Sequence, residues 1–103
     1  MKPCVVPDAA LRDQDSVEMI RVWIAEQGLH CALNIGMYQD QGKTEQVAWG
    51  IILADVVRHV SDALKQRYGL DAGDSLAQIL DTFLTELGAP TSRATGGFSS
   101  SGH

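Results

Sequence analysis

The chain has 103 residues and 11.1 kDa, with 45% hydrophobic and 20% charged residues and a mean hydropathy of −0.05, the mix of one globular domain and too short for a two-domain enzyme. Eight basic against thirteen acidic residues give a net charge of −5, which repels a phosphate backbone and excludes nucleic acid as a partner. The richest apolar run, Ala48 to Val57, is broken by Asp55 and falls far short of the roughly 18 apolar residues of a spanning helix, so no membrane partner is expected.

Residues 1–15 mix Pro3, Pro7 and scattered charges without a period and are expected to form a flexible arm. They contain no apolar region of the signal-peptide kind, and Cys4 and Cys31 form no CxxC pair, which predicts a cytoplasmic chain with two reduced thiols. From Val17 to Glu26, Ile20, Val22 and Ile24 alternate with Met19, Arg21, Trp23 and Ala25. From Leu29 to Gly36, Leu29, Cys31, Leu33 and Ile35 alternate with His30, Ala32 and Asn34. Period two predicts a strand in each run. A two-residue turn at Gln27-Gly28 makes them a hairpin in which Ile24 faces Cys31, Val22 faces Leu33 and Ile20 faces Ile35, with all these apolar side chains on one face.

Met37 to Lys43 is polar and predicts a loop. Thr44 is placed to cap a helix that carries Glu45 in its first turn and runs to about Tyr68, where Gly69 ends it. Trp49, Leu53, Val56, Val60, Ala63 and Leu64 form its expected core stripe, and apolar residues between Val47 and Val57 extend around most of the cylinder. Ser75-x-x-Gln78 reads as a capping box for a second helix, with Leu76, Ile79, Leu80, Phe83, Leu84 and Leu87 on one stripe and Gly88 and Pro90 as its stop. Residues 91–103 are rich in Ser, Gly and Thr, and a disordered tail is expected. The fold class predicted is α+β, an antiparallel hairpin followed by two helices (ββαα), within a single domain over residues 16–90.

Three constellations invite a functional reading. Gly42-Lys43-Thr44 with Gly36 upstream resembles a phosphate-binding loop, but five residues separate the glycines where that loop has four, and the strand before it belongs to an antiparallel hairpin; helix capping explains Thr44 better. Asp55, Arg58, His59 and Asp62 lie three and four residues apart on one helix, so His59 with Asp55 or Asp62 is a candidate acid–base pair, set against a salt-linked polar face. No third ligand completes a metal site there, and no metal or cofactor is expected. The non-core face of the hairpin carries Met19, Arg21, Trp23, His30 and Asn34, with Trp23 opposite Ala32 and Arg21 opposite Asn34 in the predicted register. It is either an ordinary solvent-facing surface or a contact surface, since Trp and Arg are favoured at interface hot spots.

Two strands are marginal by themselves, and about 70 ordered residues without disulfide or metal call for another source of core. A homodimer is therefore expected, built either by pairing hairpin edges into a four-stranded sheet or by packing the apolar flanks of the long helix across a two-fold axis. The function expected is a non-enzymatic homodimeric binding or accessory domain that uses the Trp23 face or the 37–43 loop, and the alternative is a small enzyme built on His59 with Asp55 or Asp62.

The runs Glu18-Met19-Ile20-Arg21-Val22-Trp23-Ile24-Ala25, Gly28-Leu29-His30-Cys31, Asn34-Ile35-Gly36-Met37-Tyr38 and Ala48-Trp49-Gly50-Ile51-Ile52-Leu53-Ala54-Asp55 resemble a family of small alphaproteobacterial proteins, a domain of unknown function. The resemblance covers about residues 16 to 92. It implies a bacterial, compact α+β domain and brings no activity, cofactor or residue role.

Overall fold

The computed structural model describes residues 1–100. A short helix, α1 (Asp8–Arg12), lies where an arm was expected. The alternating segments then pair antiparallel as β1 (Ile20–Ala25) and β2 (Gly28–Ile35). The turn falls one residue earlier than predicted. Glu26 and Gln27 occupy it in the left-handed region, at φ 51° and 62°, and Gly28 begins β2. The register therefore differs from the expected one by two residues: Ile24 pairs with Leu29, Val22 with Cys31 and Ile20 with Leu33. An even shift returns every side chain to its original face, so period-two alternation cannot distinguish the two registers. Trp23 consequently faces His30 rather than Ala32, and Arg21 faces Ala32 rather than Asn34.

A short 3-10 turn, Gln39–Gln41, leads into α2 (Glu45–Tyr68), which Gly69 caps in the left-handed conformation as expected. The next helix, α3 (Ala72–Gly88), starts earlier than the proposed capping box: Asp71 is the N-cap and its carboxylate accepts from Asp74 N at 3.0 Å, which leaves Ser75 inside the helix. Asp71, two residues past Gly69, is an N-cap as good as serine and comes first in the chain, so the helix is already under way when Ser75 is reached.

The segment Ala94–Ser100 corrects the expectation of a disordered tail. It forms β3, paired parallel to β2 with Leu29 opposite Ala94 and Leu33 opposite Phe98, so the sheet order is β1-β2-β3. Composition missed it because β3 is held by backbone pairing rather than by apolar content. Gly96, at φ 139°, lets the backbone approach Cys31 where any Cβ would overlap the Cys31 carbonyl. The two helices supply the long crossover that a parallel pair requires. Residues 101–103 of the expected tail lie outside the described residues.

The secondary structure is regular but its apolar faces are uncovered. α2 packs on α3, and neither helix packs extensively on the sheet. Among the described residues no apolar side chain is buried; Ser61, whose hydroxyl donates to Val57 O at 3.0 Å, is the buried one. Leu53, Val56 and Val60 of the expected core stripe are exposed, while Trp49 and Leu64 are half-buried. The accessible surface is 8552 Å², against about 5,700 Å² for a compact monomer of this mass. The radius of gyration is 15.4 Å, where about 13 Å is usual for this length.

Candidate functional site

Glu45 organises the junction between sheet and helices. It opens α2, and its carboxylate reaches back over the loop that leaves β2. Oε1 accepts from Gly36 N at 3.0 Å and from Trp49 Nε1 at 3.1 Å, and Oε2 accepts from Tyr38 N at 3.0 Å and Gln39 N at 2.9 Å. Gly36 stands at φ 106°, a conformation that lets the loop curl until its amides converge on one anion. The Gly36 N–H is the strongest influence holding the Glu45 carboxyl below the ordinary carboxylate range; partial burial opposes it, and the Gln39, Trp49 and Tyr38 donors add to it. Thr44 is the N-cap residue, but its side chain makes no capping bond; Gln39 Oε1 lies 3.5 Å from Glu45 N instead. The 37–43 loop is thereby tied to the helix by its own backbone.

A second carboxylate performs the same task at the other junction. Glu86, on the last turn of α3, accepts from Thr91 Oγ1 at 2.6 Å and from Thr91 N at 2.8 Å, fixing the chain as it turns towards β3. The Thr91 hydroxyl, then its N–H, hold the Glu86 carboxyl below its usual range against weak desolvation. Neither clamp is legible as a motif, because each depends on the path of a loop. The nearest sequence signal is a Glu and a Trp four residues apart at a helix start, next to a loop that begins with glycine.

The Trp23 face forms, with different neighbours from those expected. Met19, Trp23, His30 and Asn34 are half-buried and Arg21 is exposed, bonded through Nε and Nη2 to the two oxygens of Glu18 at 3.0 and 3.1 Å. His30 Nε2 lies 3.1 Å from Ala25 O and its Nδ1 2.9 Å from Thr95 Oγ1. A carbonyl can only accept, so Nε2 carries a proton and donates to Ala25 O, and Nδ1 shares a second hydrogen bond with the Thr95 hydroxyl. His30 thus ties β3 to β1 across β2. Asn34 Oδ1 is buried without a hydrogen-bond partner among the described residues.

The helix cluster does not assemble into a catalytic set. Arg58 Nη1 stands 3.8 Å from Asp55 Oδ1 with both side chains largely exposed, and His59 and Asp62 are exposed with no hydrogen bond between them among the described residues. Among the described residues no group of three or more His, Cys, Asp or Glu is placed to hold a metal ion, and no helix is long and apolar enough to cross a membrane. Open hollows lie beside both helices among the described residues. One, of about 460 Å³, lies between Tyr38, Lys43 and Thr44 of the loop and Val47, Ile51 and Ile52 of α2. Another, of about 780 Å³, separates Ile79, Phe83 and Leu87 of α3 from Leu29 and Ala94 of the sheet. Both are lined mainly by apolar side chains, the chemistry of association rather than of proton or group transfer.

A family model described as a domain of unknown function (DUF5076) matches residues 3–91. Among solved structures the chain is similar to one from the photosynthetic bacterium Rhodopseudomonas palustrus CGA009, whose description gives it provisionally as a pyruvate dehydrogenase, with 24% sequence identity, a TM-score of 0.67 and a match covering 92% of this chain and 92% of that one. At that identity the likeness shows the fold alone. No curated protein matches the chain.

Proposed function

The chain belongs to this family of unknown function, and from that premise we propose that it acts as a homodimeric, non-enzymatic binding or accessory domain in a bacterial cytoplasm. One observation carries the proposal: Ile24, Leu84, Leu87 and Phe98 keep 76%, 60%, 68% and 73% of their surface exposed, and no apolar side chain among the described residues is buried. Apolar burial is the dominant favourable contribution to folding, so a chain with so little of it draws its stability from association.

Magnitude selects the associate. The accessible surface exceeds the compact-monomer value by about 2,900 Å²; the exposed residues 1–9 account for part of this, and the remainder is on the scale that one partner loses in a large obligate interface. A small ligand seated in either hollow would cover only a fraction of it. A second copy supplies the area and closes the assembly by two-fold symmetry. The Trp23 face, opposite the apolar one, stays outside such a dimer and is the surface for a further partner, and Trp23→Ala is expected to leave the dimer intact. The reading built on His59 with Asp55 or Asp62 gains no supporting contact.

Sedimentation equilibrium tests the proposal. Twice the chain mass is expected at micromolar concentration, with unfolding midpoints that rise with protein concentration. A folded monomer at tens of micromolar, with a concentration-independent midpoint, would overturn it.

A further inference from the structure

We infer that the dimer is built by exchange, the α2–α3 pair of each copy lying on the apolar sheet face of the other. This rests on the dimer proposed above and specifies its interface. Two apolar surfaces of matching kind are uncovered in one chain. On α3, Leu76, Leu80, Phe83, Leu84 and Leu87 follow helical spacing along one stripe, and all are exposed. On the sheet, Val22, Ile24 and Phe98 lie on one face around Leu33 and are exposed as well. A helix stripe over a sheet face is the ordinary way in which both are buried in α+β domains.

The chain's own helices are held away from that face. Glu45 pins the entry to α2 with hydrogen bonds from three backbone amides and the Trp49 indole, and Glu86 pins the exit from α3 with two from Thr91. Swinging the helical pair inward would break these charge-assisted hydrogen bonds and take the carboxylate acceptor from the part-buried Gly36 and Tyr38 amides and the Trp49 indole. With both junctions fixed, the groove of about 780 Å³ between α3 and the sheet stays open within one chain. Other arrangements of two copies leave one surface bare: α3 against α3 leaves Ile24 and Phe98 in water, and sheet against sheet leaves Leu84 and Leu87 there. Exchange covers both at once, and because each copy gives and receives the same elements the interface is isologous and closed.

The test is chemical cross-linking in the full chain with Cys4→Ser and Cys31→Ser as background. Ile24→Cys and Leu84→Cys are made in separate chains, co-refolded and treated with a short bismaleimide. Exchange predicts a two-chain product in the mixture and little from either variant alone. Linkage of Leu84→Cys to itself, or a one-chain linked product from a chain bearing both substitutions, overturns exchange while leaving the dimer standing; a folded monomer in sedimentation overturns the dimer itself. As a second measurement, Ile24→Lys and Leu84→Glu are each expected to abolish the dimer alone and to restore a mixed dimer when co-expressed. Failure of the mixture to restore it would overturn the exchange.

Discussion

Leu84 lies on the apolar stripe of α3 and keeps 60% of its surface exposed within one chain. If it faces only water, Leu84→Ala is nearly neutral, since alanine is the better helix former and surface changes usually fall within about 0.5 kcal/mol. If a second copy covers it, the substitution removes real burial. A fully buried leucine is worth about 1.5–3 kcal/mol, so covering the exposed share is worth about 1–2 kcal/mol per copy. Two copies make that about 2–4 kcal/mol per dimer, which weakens the dissociation constant by about 30- to 1,000-fold. Urea unfolding at several protein concentrations, with sedimentation at the same concentrations, reads both quantities. Leu11→Ala on α1 serves as the control: it is 72% exposed, belongs to neither uncovered face, and is expected to stay within about 0.5 kcal/mol. A Leu84→Ala variant that matches Leu11→Ala in midpoint and in mass would refute the reasoning.

Glu45→Gln removes the anion on which the loop amides converge, and faster hydrogen exchange at Gly36, Tyr38 and Gln39 is expected, with the β1–β2 amides unchanged. Because the Gly36 amide and its companions depress the Glu45 pKa in the folded chain, the clamp contributes its stability fully above the unfolded carboxylate pKa and loses it only as pH falls through the lower folded value. Trp49 indole fluorescence or its Nε1–H resonance, followed in an acid titration, should therefore change below the ordinary carboxylate range; a transition near neutrality would contradict the assignment. Gln27→Gly relieves a side chain held at φ 62° and should stabilise the hairpin by about 1 kcal/mol, seen as a higher thermal midpoint. Gly96→Ala places a methyl against the Cys31 carbonyl at φ 139° and should cost more than about 1 kcal/mol, with exchange protection lost along β3 before β1.

Hydropathy patterning was a good guide wherever a local period decides the outcome. The two strands, their faces, and the long helix from Glu45 to Tyr68 with its Gly69 cap are legible because alternation and the left-handed C-cap are short-range properties. It was a poor guide where two answers share a pattern. The hairpin register was ambiguous by two residues, and only the turn geometry at Glu26 and Gln27 chose between them. Asp71 displaced Ser75 as a cap because Asp71, Asp74 and Ser75 all stand within one turn or so and each can accept from a free amide. Of the candidate site residues, Trp23 and His30 do meet across the strands, whereas His59 and Asp62 share a helix face without meeting.

By itself the sequence determined an α+β chain and which residues share each face, both consequences of composition and period. Tertiary structure alone decided that Ala94–Ser100 closes the sheet as a parallel strand, and that Glu45 and Glu86 fix the two junctions of the helical pair. These depend on residues far apart in the chain or on the path of a loop: β3 pairs through backbone groups that every residue carries, and a carboxylate becomes a clamp only when folded amides converge on it. Neither property has a composition or a period to be read.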